Sequence, residues 1–281
     1  MAGLENGSQE GHRALTRLAL DRRRQVKQAL YGLLVLQNQG HKRQRMEPYY
    51  ERNGIKIYHG DAMDILPTIG GADLVVADPP YTFGIASTEQ STTRNGLWGD
   101  LMNSGYWYAG WLKEAWRLTI NRQGAIWVFN SWRSYPVLAR GAYAAEIPIS
   151  SLAVWDKEWI GPAGKNSLRP TYELIALMAH KKFVIENRSL SDIIKCKWMA
   201  AHIGETKHPA EKPLSLIRKL IDESGGGLVV DPFMGSGTTL KAAQELGQPA
   251  IGIEIEERYC EIAARRLAQS SLLTVSAGSY N

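Results

Sequence analysis

The stretch Leu228-Val229-Val230-Asp231-Pro232-Phe233-Met234-Gly235-Ser236-Gly237-Thr238-Thr239 narrows the possible folds more than any other part of the chain. An apolar run enters an acid and a glycine turn, and Thr239 to Leu246 then has helical composition. In such a strand–turn–helix unit, Gly235 and Gly237 let the backbone turn tightly and approach a ligand closely. The helix start aims its unpaired N–H groups at the same place. Ala250-Ile251-Gly252-Ile253-Glu254 reads as the next strand. It ends in an acid about 20 residues past the first glycine, where such folds hold ribose hydroxyls. No Gly-Lys-Ser/Thr follows, so the turn is not a phosphate loop. Leu240 stands where the third glycine of a dinucleotide fingerprint would fall. The unit predicts an α/β chain with a doubly wound, mostly parallel sheet and ligands at the carboxyl ends of its strands.

A second short apolar run, Ala72-Asp73-Leu74-Val75-Val76-Ala77, leads into Asp78-Pro79-Pro80-Tyr81. Proline fixes φ and lacks an N–H, so the two prolines set their carbonyls in defined directions. A carboxylate, such a carbonyl and a flat ring can hold an amino group on a heteroaromatic ring: two oxygens accept its protons while the ring stacks. The same four residues also read as a proline-stiffened turn after a buried strand.

Together these motifs resemble the catalytic motif and the cofactor loop of amino-directed (N6-adenine or N4-cytosine) DNA methyltransferases. His208-Pro209-Ala210-Glu211-Lys212-Pro213 and Tyr259 through Arg266-Leu267 match two further segments of that family. The catalytic motif precedes the cofactor loop, as in the circularly permuted β group, and the match runs from residue 54 to residue 268. The resemblance implies a Rossmann-like methyltransferase fold with the Asp78 and Asp231 strands side by side at the switch point. It implies S-adenosylmethionine as cofactor, no metal, and methyl transfer to N6 of a flipped adenine in double-stranded DNA. N4 of cytosine, an RNA or protein-amide substrate, and a non-catalytic DNA-binding relative are the alternatives.

Carried over by position, the resemblance assigns Asp78, Pro79, Pro80 and Tyr81 to catalysis. It assigns Asp61, Asp78, Lys212, Asp231, Phe233, Gly235, Ser236, Gly237, Thr238, Thr239 and Glu254 to the cofactor. Asp61 is a candidate for the amino group of the cofactor's adenine and also reads as a helix N-cap. Lys212 reads either as a partner of the cofactor's methionine carboxylate or as half of a surface ion pair. A C5-cytosine enzyme of related kind would need a cysteine after proline, and neither Cys196 nor Cys260 follows one.

Charge is unevenly spread. Residues 1–45 hold nine Lys/Arg against three acids, which leaves 24 against 25 in the remainder of a chain whose formal net charge is +5. The basic excess is thus N-terminal, where Leu15, Leu18, Val26, Ala29, Leu30, Leu33 and Leu34 recur at helical steps between His12 and Gln37. A basic amphipathic helix there lies along DNA, docks on its own domain, or pairs with a second subunit in a homodimer. The two cysteines are far apart and outside any metal-ligand pattern. With no bilayer-spanning apolar run and no signal-peptide pattern, the expected setting is cytoplasmic.

The expected organisation is a basic extension over 1–45, a catalytic domain over 46–270 and a tail over 271–281. Within the domain, residues 82–105 are expected as a flexible loop over the site, and 189–207 as a short target-recognition segment. Strands are expected at 55–58, 124–129, 149–155 and 172–179 besides those above, and helices at 62–66, 106–118, 131–145 and 208–224. Trp107, Trp111 and Trp116 are expected in the core. The segment Lys157 to Pro170, with Lys157, Lys165 and Arg169, reads either as a path along a phosphate backbone or as a long hairpin connection.

Overall fold

Among the described residues, nine strands form one sheet in the order β1-β2-β9-β8-β3-β4-β6-β5-β7. The structure, a computed structural model, describes residues 46–80, 105–161, 165–166, 168–198 and 211–276, with side chains to 269. The strands are β1 Tyr50–Arg52, β2 Ile55–His59, β3 Leu74–Ala77, β4 Ala125–Asn130, β5 Ser151–Asp156, β6 Tyr172–Ala179, β7 Ile193–Lys195, β8 Val229–Asp231 and β9 Ala250–Glu254. The helices are α1 Ala62–Ile65, α2 Tyr106–Ile120, α3 Tyr135–Ala145, α4 Leu214–Glu223, α5 Thr238–Glu245 and α6 Glu257–Ser276.

Strands β2, β9, β8, β3 and β4 are mutually parallel, while β1 and β6 run the other way. All four residues of β3 are buried, as a parallel strand covered on both faces requires. Alternation sorts its side chains: Leu74 and Val76 pack on one face with α4, α5 and α6, and Val75 on the other with α1, α2 and α3. α4 buries Leu216, Ile217, Leu220 and Ile221, and α2 buries Trp111, Leu112, Ala115 and Leu118. Each helix therefore offers one apolar stripe to the sheet, which gives a three-layer α/β/α sandwich.

Two connections create the cleft. From β3 the chain crosses to β4 on one side, whereas β8 pairs with β3 on the other, Leu74 opposite Val229 and Val75 opposite Val230. The expected neighbourhood of the two motif strands is therefore present, with the strand order reversing between them. Asp73 pins their amino ends: its Oδ2 accepts from the Leu228 N–H at 2.7 Å and pairs with Arg122 Nη1 at 3.0 Å.

Several boundaries differ from expectation. β1 and β7, three residues each, are too short to show a period and were not expected. β7 pairs with β5, so part of the segment expected to read the target is a sheet strand. α3 begins at Tyr135, with Pro136 in its first turn where a missing N–H costs nothing. α6 continues to Ser276, six residues into the expected tail. The basic helix over 12–37, the loop over 82–104 and residues 199–210 lie outside the described residues. Among the described residues no helix is long and apolar enough to cross a membrane.

Candidate active site

The carboxyl ends of β2, β9, β8, β3 and β4 open onto one cleft of about 580 Å³. Each strand delivers a residue to it: Gly60 and Asp61 after β2, Glu254 from β9, Asp231 from β8, Asp78 after β3 and Phe129 from β4. Pro79, Pro80, Lys212, Phe233, Gly235, Ser236, Thr238 and Thr239 also line it. Gly237 is not among the lining residues, although its neighbours Ser236 and Thr238 are, and Tyr81 lies outside the described residues. The sequence-expected residues that are described thus converge at one place.

The glycine loop is held by geometry that only its sequence permits. Gly237 caps α5 with φ +83°, and a Cβ built on it would stand 2.8 Å from the Ala263 Cβ of α6. Gly252, under the loop in β9, would place a Cβ 2.4 Å from Met234 Sδ. Met234 N–H donates to the Ile253 carbonyl at 3.0 Å, and Gly237 N–H to the Met234 carbonyl at 2.8 Å. The loop is therefore pressed onto β9, and the N-terminal end of α5 faces the cleft.

Glu254 is fixed from two sides: Gly235 N–H donates to Oε2 at 3.0 Å and Glu256 N–H to Oε1 at 2.9 Å. Burial pushes its carboxyl above the ordinary range against those two bonds. Asp231 is buried more deeply. Its Oδ1 accepts from Phe233 N–H at 2.9 Å and its side chain bonds Thr239. Burial nevertheless raises it to about 7, and the nearby Asp78 and Glu254 charges add to the rise. Asp61 is the N-cap of α1, accepting from Met63 N–H at 2.8 Å, and lines the cleft as well.

Lys212 lines the cleft and is half of an ion pair. Its Nζ reaches Asp78 Oδ2 at 2.6 Å and Glu173 Oε2 at 3.4 Å, and its side chain is 8% exposed. It thus pairs with an acid, but the acid is the aspartate of the catalytic motif and the pair is sheltered, not on the surface. Burial works against the ammonium charge, yet Asp78 and Glu173 outweigh it and hold Lys212 above its ordinary value. Lys157 extends the chain of charges, with Nζ 2.6 Å from Glu173 Oε1. The connection from Lys157 to Thr171 is a hairpin between antiparallel β5 and β6. Two of its three cations are engaged within the protein, since the Arg169 guanidinium donates to the Gly161 and Ile160 carbonyls.

Other cleft residues escaped the sequence reading. Glu211, quoted only as part of a motif, bridges to Arg266 Nη2 at 2.9 Å and accepts from Thr238 Oγ1 at 3.4 Å, tying the segment before α4 to the loop and α6. Trp107, expected in the core, lines the cleft with its ring 5.4 Å from that of Phe233. Trp111 is buried and Trp116 stacks on His180, as core residues do. The signal for Trp107 was its place in the first turn of α2, immediately after the loop that follows Tyr81. Neither cysteine lines the cleft: Cys260 is buried, its thiol pushed up to about 12, and Cys196 lies beside Ser215.

Comparison with known proteins agrees with this geometry. The DNA methylase family, of N6- and N4-directed enzymes, matches residues 72–265. The chain is 28% identical over 261 residues to the type II methyltransferase M2.MboI of Moraxella bovis, covering 79% of this chain and 91% of that protein. It is 27% identical over 257 residues to the DNA adenine methyltransferase YhdJ of Escherichia coli K12, covering 76% and 83%. Among solved structures, the M1.HpyAVI–SAM complex superposes with a TM-score of 0.57 at 25% identity, covering 75% of this chain and 99% of that one. The match covers more than half the chain and includes both motifs at the cleft, so the chain belongs to the DNA methylase family, as a site-specific DNA methyltransferase that uses S-adenosylmethionine.

Proposed function

We propose that the chain methylates the exocyclic N6 of adenine in double-stranded DNA, with Asp78 and the Pro79 carbonyl as acceptors for the target amine. The observation that supports this best is the parallel pairing of β3 and β8, which brings Asp78 and Asp231 to one cleft from opposite sides of a switch point. An aspartate at the first motif position, and a relative named as a DNA adenine methyltransferase, favour adenine over cytosine.

The cleft residues fit S-adenosylmethionine. Asp78, Asp231 and Glu254 give an acidic lining for a ligand bearing sulfonium and ammonium charges. Phe233 and Trp107 offer aromatic surface for an adenine, and the volume lies within the roughly 300–1,000 Å³ usual for such ligands. Glu254, held rigidly by two N–H groups, has acceptor capacity for ribose hydroxyls. Asp61, Gly235 and Ser236 line the same cleft, which supports Asp61 as acceptor for the adenine amino group and the glycine turn as the place of close backbone approach.

When bound, the cofactor supplies a methyl group on a positively charged sulfur. The chain's own task is the amine, a poor nucleophile because its lone pair is delocalised into the ring. Asp78 and the Pro79 carbonyl accept its two N–H groups, favour a more tetrahedral nitrogen and point the lone pair into the cleft. The Asp78 charge also opposes the positive charge that grows on the nitrogen as it bonds carbon. Afterwards the nitrogen loses one proton, to Asp78 or to water. A paired base cannot reach this shelf inside a duplex, so it must leave the stack, at a cost of a few kcal/mol.

The test is incubation with unmethylated plasmid DNA and labelled S-adenosylmethionine, followed by nucleoside mass spectrometry. Labelled 6-methyladenine is expected. Labelled 4-methylcytosine would replace the base and keep the site; unlabelled DNA would overturn the reading. A homodimer and a cytoplasmic setting belong to the same proposal, and light scattering of the full chain checks the first.

A further inference from the structure

Four charged side chains from four separate places in the fold stand in line: Lys157 after β5, Glu173 in β6, Lys212 before α4 and Asp78 after β3. Their contacts are 2.6 Å from Lys157 to Glu173 Oε1, 3.4 Å from Glu173 Oε2 to Lys212, and 2.6 Å from Lys212 to Asp78 Oδ2. Lys212 reaches across the end of β4, its Nζ 5.4 Å from the centre of the Phe129 ring. Both acids and both cations are shielded: side-chain exposure is 16% for Lys157, 15% for Glu173, 8% for Lys212 and 26% for Asp78. Charges this sheltered are expensive unless each is paired, and the alternating signs pair them all.

Glu173 is not among the residues that line the cleft. Its two oxygens are used by two lysines, and one of those lysines occupies one oxygen of Asp78. We propose that Glu173 is a positioning residue for methyl transfer: through Lys212 it fixes the orientation of the Asp78 carboxylate, while Lys157 balances the Glu173 charge. A lysine held between two carboxylates has its ammonium position set by both. It therefore presents Asp78 in one rotamer before the base arrives, the preorganisation that acceptor catalysis needs. Asp231, whose carboxyl faces Asp78 from β8, and the Tyr108 phenol of α2 are also within electrostatic reach of Asp78.

The inference rests on Asp78 being the amine acceptor, and its test separates the two. Lysine side-chain nitrogens are labelled with ¹⁵N in the full chain, and the Lys212 ammonium is followed against pH by NMR without cofactor or DNA. In wild type it stays charged to the alkaline limit of the stable protein. In Glu173→Gln, burial is opposed without the Glu173 charge, and the ammonium is expected to lose its proton at least one pH unit earlier. Single-turnover methyl transfer by Glu173→Gln is expected to fall at least tenfold, with S-adenosylmethionine affinity within threefold of wild type and an alkaline fall in rate that wild type lacks. Glu173→Asp, which keeps the charge on a shorter arm, is expected to recover part of the rate and the wild-type pH profile. An unchanged Lys212 titration in Glu173→Gln overturns the proposal whatever the activity, as does a wild-type rate or a loss confined to cofactor affinity. Should Glu173→Gln fail to fold, a wild-type rate in Glu173→Asp overturns it. An active wild type with an insensitive Glu173→Gln sinks only this inference, whereas an inactive wild type sinks the function reading and with it the role in methyl transfer, even where NMR shows that Glu173 holds Lys212.

Discussion

Lys212 Nζ stands 2.6 Å from Asp78 Oδ2, and it does so from a segment that lies 134 residues further along the chain. The contact joins the catalytic motif to the approach to α4, across the carboxyl edge of the sheet. Lys212→Met would leave Asp78 and Glu173 as sheltered acids without their shared cation. Breaking one partner from such a pair costs about 3–5 kcal/mol. Chemical denaturation at pH 8 should show a loss of that order, shrinking as acid protonates the carboxylates. The methyl-transfer rate should fall at least a hundredfold even where the protein remains folded.

Asp231 sets a pH dependence of the opposite kind. Its carboxyl is raised from 3.8 to about 7 by burial, so the folded protein binds a proton more tightly than the unfolded chain. Stability on this account is highest below the unfolded value and is lost as pH rises from about 4 to 7. The loss is complete above 7 and on the order of 4 kcal/mol. Asp231→Asn keeps an acceptor for the Phe233 N–H without the charge. It should raise the melting temperature at pH 8 and do so less at pH 5.

The same carboxyl should make cofactor binding titrate. A positively charged ligand favours ionised Asp231, so calorimetric affinity for S-adenosylmethionine should rise as pH goes from 6 to 8, with net proton release near the lower end. In Asp231→Asn the affinity should be weaker and nearly flat with pH. A wild-type affinity independent of pH over that range would contradict the assignment.

How much of this was legible depends on distance along the chain. The β8–α5–β9 unit could be read from one window of sequence because its glycines, its helix start and Glu254 are local. Asp61 as an N-cap was legible for the same reason. The pairing of β3 with β8 came through the family resemblance, since nothing in either strand names its neighbour. Glu173 and Lys157 were missed because their roles depend on β5 and β6 folding back antiparallel beside β4. In sequence, Glu173 is one acid near the start of an apolar strand, and Lys157 one cation among three in a polar loop. Trp107 was placed in the core because a helical period cannot say which buried ring also borders a cleft.

Gly237 tests the packing of the cofactor loop. With φ at +83° and the Ala263 Cβ 2.8 Å from the position of its absent side chain, Gly237→Ala is strained in conformation and in contact. A stability loss of about 1–2 kcal/mol is expected, with a larger effect on cofactor affinity, at least tenfold by calorimetry. Gly237→Ala combined with Ala263→Gly removes the contact but not the φ strain, and should recover only part of either loss.

The most direct measurement is the single-turnover rate of methyl transfer to DNA by Asp78→Asn, with S-adenosylmethionine affinity measured on the same protein. If Asp78 is the acceptor for the target amine, the rate falls at least a thousandfold, while cofactor affinity stays within about tenfold because Glu254, Asp231 and the glycine loop are untouched. A rate within tenfold of wild type would contradict this, and the amine would then have to be held by other groups at the cleft.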